Sequence, residues 1–142
     1  MITSVFSKSR PINYILITTL LVLCFLLFQF QSNFNTISTL EIAKKIILLL
    51  LLVGSLYITN FITKKNGLSK DNSYTFLLFF VFLILFPKTL SNAALIISNL
   101  FVLLALRRLI SMQSLITPKE KIFDASFWIL PQVCLIFGVF CL

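Results

Sequence analysis

The chain contains no histidine and only four acidic residues, Glu41, Asp71, Glu120 and Asp124. Proton transfer near neutral pH draws first on histidine and carboxylates, so general acid–base chemistry has few candidates. HExxH, GxSxG, P-loop, CxxC and DxD-like patterns are all missing, which leaves the common hydrolase, nucleotide-binding and thiol-redox chemistries without a motif. Cys24, Cys134 and Cys141 lie inside apolar runs with no ligating neighbour, the pattern of inert buried thiols. No cofactor and no metal is expected. Glycine is also scarce, at 3 residues.

What fills the chain instead is apolar. Hydrophobic residues make up 59%, charged residues 11%, phenylalanine alone contributes 16, and the mean hydropathy is +1.07. That exceeds what the core of a 142-residue soluble domain requires. The apolar runs are continuous rather than alternating, so they read as lipid-facing helices and not as barrel strands. The fold class expected is an all-α, polytopic transmembrane bundle of about five spans. A net charge of +8 would point to nucleic acid in a soluble protein. Here the Lys and Arg residues cluster between apolar runs, where they act as topology signals and contacts for anionic lipid headgroups, and no nucleic-acid partner is expected.

The spans expected are 12–30, 44–63, 72–87, 90–107 and 124–142, forming one membrane domain. Lys8 and Arg10 precede the first run as in a signal peptide, but it has no A-x-A cleavage site and reads as a retained anchor. Ser38 and Glu41 form an S-x-x-E capping box for the second helix, and Lys64, Lys65, Asn66 and Gly67 close it. Gly54 and Ser55 offer a close-contact point in its middle. Asn72 or Ser73 can cap the third, shortest segment. Pro87 and Lys88 then punctuate a tight hairpin, because one long helix would hold a lysine near the bilayer centre at a cost of about 2.5–3.5 kcal/mol. Segment 108–123 is read as a cytoplasmic loop. It contains a helix start at Thr117, Pro118, Lys119 and Glu120, which combine an N-cap, a first-position proline and a capping box. Trp128 suits an interfacial aromatic, and Pro131 a kink. Because no polar flank follows the last run, the chain is expected to be the front part of a longer one.

With the N-terminus inside, the cytoplasmic segments carry Lys8, Arg10, Lys64, Lys65, Lys70, Arg107, Arg108, Lys119 and Lys121, against Lys44, Lys45 and Lys88 outside. The positive-inside rule therefore favours a cytoplasmic N-terminus. Lys44 and Lys45 dissent.

Two groups stand out as candidate sites. Arg107, Arg108, Lys121 and Asp124 converge at one headgroup level, where they can hold a phosphate or a partner; the plainer reading is a structural ion pair and a topology signal. Ser91, Asn92, Ser98 and Asn99 recur at seven-residue spacing and form a small polar stripe, read as helix packing in preference to a solute path. Gln132, next to Pro131, can donate to a carbonyl freed by a kink.

The opening Met1 to Tyr14, together with Arg107-Arg108-Leu109-Ile110-Ser111 and Lys121 to Trp128, resembles an uncharacterised family of Bacteroidota inner-membrane proteins of unknown function. The resemblance implies an inner-membrane location, longer relatives with further spans, and Phe6, Lys8, Pro11, Asn13, Phe123, Asp124 and Trp128 as part of the recognisable pattern. It implies no catalytic residue. The expected function is a non-enzymatic multi-spanning subunit or scaffold of an envelope assembly that contacts other membrane helices. The alternative is the N-terminal membrane part of a lipid-linked glycan enzyme or flippase. A transporter ranks third, because no internal repeat and no midplane charge is present.

Overall fold

The computed structural model describes residues 6, 10–30, 39–68, 73–114 and 118–140. The described residues are helical and contain no strand. The elements are α1 (Pro11–Phe30), α2 (Thr39–Lys65), α3 (Tyr74–Leu85), α4 (Pro87–Ser91), α5 (Ala93–Ile110), a 3₁₀ turn (Ser111–Ser114) and α6 (Pro118–Phe140). Three helices, α1, α2 and α5, are long and apolar enough to cross a membrane. The expected capping residues Ser38, Asn72 and Thr117 lie outside the described residues, as do Asp71, Cys141 and Leu142.

α1 shows why lipid is the natural solvent. Asn13, Ile17, Leu21 and Phe25 are buried at four-residue spacing and form one narrow stripe against the bundle. The other faces carry exposed Ile12, Ile15, Leu16, Leu23 and Leu27. A helix in water would be polar there, whereas one that is apolar all round belongs in a core or a membrane. The threonine hydroxyls on α1 are satisfied locally: Thr18 Oγ1 donates to the Tyr14 carbonyl at 2.9 Å and Thr19 Oγ1 to Leu16 at 2.9 Å. In hydrocarbon, where water offers no partner, such back-bonding removes the desolvation cost.

α2 is the central helix and packs against α1, α3 and α5. Leu52, Ser55, Leu56 and Ile62 are its buried residues. The close approach expected at Gly54-Ser55 falls on the serine: Ser55 is completely buried, whereas a Cβ on Gly54 would meet nothing within 4 Å. Gly67, at φ 62°, ends the helix. Leu68 N–H donates to the Thr63 carbonyl at 3.0 Å and Gly67 N–H to Lys64 at 3.2 Å, the two reversed bonds of a Schellman terminus.

The segment expected to span 72–87 is broken. α3 has 12 residues, about 18 Å of helix, against a hydrocarbon core of about 30 Å. Phe86 leaves the helical region at φ −118°, ψ 71°, as the residue before a proline tends to. Pro87 then opens α4, which adds one more turn in the same passage. Asn92 is extended and caps α5, accepting from Ala94 N–H at 3.0 Å. The expected loop 108–123 is mostly helical: α5 runs to Ile110, the 3₁₀ turn follows, and α6 starts at Pro118, where a missing N–H costs nothing.

Cross-helix contacts fix the relative directions. Asn13 Nδ2 donates to Ser73 Oγ at 3.2 Å at the start of α1 and α3, and Gln29 Nε2 donates to the Leu90 carbonyl at 3.2 Å at the far end. α1 and α3–α4 are therefore parallel. Lys64 Nζ lies 5.1 Å from the centroid of the Tyr14 ring, so α2 runs antiparallel to α1. Arg107 lies over Phe61, which makes α5 parallel to α2. Trp128 stacks on Phe101 at 5.9 Å and α6 returns alongside α5. Trp128, expected from the sequence as an interfacial aromatic, is a packing residue between α5 and α6. Phe76, buried, takes both Tyr14 and Tyr57 edge-on, at 4.9 and 5.3 Å, and anchors the apolar core.

Candidate functional site

The directions just described place Arg10, Lys64, Lys65, Arg107, Arg108, Lys121 and Asp124 at one end of the bundle. Three helix termini build it: the last turn of α2, the last turn of α5 and the first two turns of α6. Cations belong in the last turn of a helix, where the unsatisfied carbonyls carry partial negative charge. Lys64 and Lys65 close α2, and Arg107 and Arg108 close α5.

Of the four residues singled out from the sequence, two join α5 to α6 and a third ties α6 to the turn between them. Arg108 Nη2 lies 3.2 Å from Asp124 Oδ2, with the two side chains about half exposed. Lys121 Nζ donates to the Ser111 carbonyl at 2.8 Å. This carbonyl sits in the 3₁₀ turn, so the lysine ties the start of α6 to the connection that precedes it. Arg107 points the other way: its guanidinium lies 5.1 Å from the centroid of the Phe61 ring on α2. Adjacent arginines on a helix diverge by about 100°, which is how one pair serves two neighbours.

A cavity of about 60 Å³ opens between α2 and α5, lined by Phe61, Ile62, Lys65, Asn66, Arg107, Arg108 and Ser111. Lys65 Nζ sits 5.5 Å from the centroid of the same Phe61 ring that Arg107 covers. Neither Lys65 nor Asn66 was a candidate from the sequence, because their pairing with Arg107 depends on α2 and α5 running parallel. Asn66 Nδ2 donates to the Ile62 carbonyl at 2.7 Å, which fixes the amide at the cavity rim.

The polar stripe is divided by the helix break. Ser91 is exposed in α4, its hydroxyl donating to the Lys88 carbonyl at 3.1 Å, and Asn92 is spent as the α5 cap. Ser98 is buried and Asn99 half-buried on α5, both lining an apolar wedge of about 200 Å³ with Leu52, Phe79, Phe82, Leu83 and Ile96. The seven-residue repeat does not form one continuous helical face, since Asn92 interrupts the helix between its two halves. Gln132 is half-buried in α6.

At the opposite end, Phe25, Leu26, Gln29, Ile42, Lys45, Ile46 and Leu49 line a cleft of about 290 Å³ between α1 and α2. The sequence offered no signal for it.

No family model, no curated protein and no solved structure matches the chain.

Proposed function

We propose that this protein is a non-enzymatic, multi-spanning subunit or scaffold of a bacterial envelope assembly, crossing the inner membrane five times with its N-terminus in the cytoplasm. The observation that carries the reading is how the bundle uses its polar side chains. Asn13 with Ser73, Gln29 with Leu90, Arg108 with Asp124 and Lys121 with Ser111 each join two elements. These are the groups from which a catalytic site would be drawn, and they are engaged in holding helices together.

Five crossings follow if α3 and α4 count as one broken passage. α2 and α5 both end at the basic end, so the chain between them has to return to the other end. The Gln29 to Leu90 hydrogen bond supports such a return, since it sets the hairpin tip level with the far end of α1. The basic end faces the cytoplasm by the positive-inside rule. The bacterial inner membrane is supported by the resemblance of the opening and of the Arg107 and Lys121 stretches to the Bacteroidota family.

The partners of such a scaffold are the bilayer and other membrane helices. Outward apolar residues such as Phe123, Phe127 and Leu130 on α6 provide the surface. Purification of the tagged chain from its native membrane in mild detergent is expected to bring down a defined neighbour or to give an oligomer. A lone monomer with no co-purifying protein would sink the scaffold reading.

The alternative, a membrane part of a lipid-linked glycan enzyme or flippase, gains support from the three cations around the α2–α5 cavity. A polar segment rich in Arg, His or carboxylates encoded in the same reading frame would favour it. The transporter reading gains nothing from the wedge between α3 and α5, which is mainly apolar.

A further inference from the structure

The two interfaces at the basic end are built differently. Between α5 and α6 a cation on one helix meets a carboxylate on the other, Arg108 with Asp124. Between α2 and α5 both helices contribute cations, Lys65 and Arg107, and both lie on the Phe61 ring. Among the described residues no carboxylate reaches either of them. Helix C-termini attract each cation singly, and a ring face attracts a cation too. The positive-inside rule accounts for cations gathering at this end, but none of these effects requires two helices to bring them to the same ring, with Arg108 as a third on the cavity wall. Asp124 offsets only one of the three.

We propose that the cavity between α2 and α5 is a phosphate-binding site in which Lys65 and Arg107 hold one phosphate group between them, with Asn66 and Arg108 at its rim. The phosphate would bridge α2 to α5 as Asp124 bridges α6 to α5. Arginine offers paired N–H donors to two phosphate oxygens, and lysine adds a point charge. The cavity opens at the ends of α2 and α5, two helices long and apolar enough to cross a membrane, where a headgroup would come within reach, so the chemistry it recognises is a phosphate mono- or diester. A lipid headgroup and free phosphate are the two sources of that group. The site depends on the bundle geometry and not on the scaffold reading: loss of co-purifying partners with phosphate binding intact would sink that reading alone.

The test uses the full purified chain, delipidated in neutral detergent and titrated calorimetrically with short-chain phosphatidylglycerol, with phosphatidylcholine of the same tails, and with inorganic phosphate. Phosphatidylglycerol is expected to bind roughly ten-fold or more tightly than phosphatidylcholine, and the double variant Lys65→Gln/Arg107→Gln to lose at least about ten-fold. The double variant Lys44→Gln/Lys45→Gln, at the opposite end, should stay within about two-fold of the parent. Inorganic phosphate that displaces the lipid identifies the phosphate itself as the ligand. Failure to displace it, with the Lys65 and Arg107 dependence intact, identifies the headgroup as the source. Circular dichroism checks that each variant remains helical, and the single variants Lys65→Gln and Arg107→Gln replace the double if it aggregates. The proposal is overturned if the folded Lys65/Arg107 variants bind phosphatidylglycerol as the parent does, or if the far-end variant loses as much.

Discussion

At the scale of single residues, the informative groups are the few polar ones held inside the bundle. Ser73 is completely buried, and its hydroxyl both accepts from Asn13 Nδ2 and donates to the Phe6 carbonyl at 3.1 Å. Its own N–H also donates to Phe6, at 3.1 Å. The residue expected to cap α3 stands at the N-cap position without making a side-chain cap bond, because its hydroxyl is engaged across the bundle. Removing it takes the acceptor from buried Asn13 Nδ2 and one of two donors from the Phe6 carbonyl, so Ser73→Ala should cost about 1 kcal/mol in detergent unfolding followed by circular dichroism. Ser126→Ala, which removes only an exposed back-bond to Phe123, should change little. Equal effects of the two substitutions would show that the Asn13, Ser73 and Phe6 contact contributes nothing.

Secondary structure was legible in the sequence where charge and turn chemistry punctuate apolar runs, and illegible where tertiary contacts decide. The end of α2 is of the first kind. Lys64, Lys65, Asn66 and Gly67 announce it, and the left-handed φ of Gly67 completes the reversed hydrogen bonds. A Cβ there would meet no neighbour, so Gly67→Ala isolates the backbone penalty. It should cost about 1–2 kcal/mol and fray the last turn of α2, read as lower unfolding midpoint and faster amide exchange at Asn66 to Leu68. Unchanged exchange would contradict the terminus described. The break at Phe86 is of the second kind. Pro87 signals that a helix cannot pass unaltered, but not whether the chain reverses at once or continues for another turn. α4 continues to Leu90, whose carbonyl accepts from Gln29 Nε2, a contact 61 positions away that no local pattern encodes. The same holds for Lys65, whose place beside Arg107 depends on helix direction rather than on spacing.

In the molecule as a whole, the helices alternate in direction, one end gathers most of the cations, and the apolar faces turn outward. Only 22% of the apolar window in each of the three long helices is buried within the bundle, so most of their surface needs lipid or another helix against it. That predicts which connections face which compartment. After replacement of the native cysteines, Ser91→Cys reports on the hairpin tip and Met112→Cys on the turn between α5 and α6. The most direct test is labelling these two positions with a membrane-impermeant maleimide in intact spheroplasts. Ser91→Cys is expected to react from outside and Met112→Cys only after the membrane is permeabilised. A Ser91→Cys protected until permeabilisation, as Met112→Cys is, would mean that the hairpin dips and returns, leaving three crossings. Outside labelling of Met112→Cys with protection of Ser91→Cys would reverse the whole orientation.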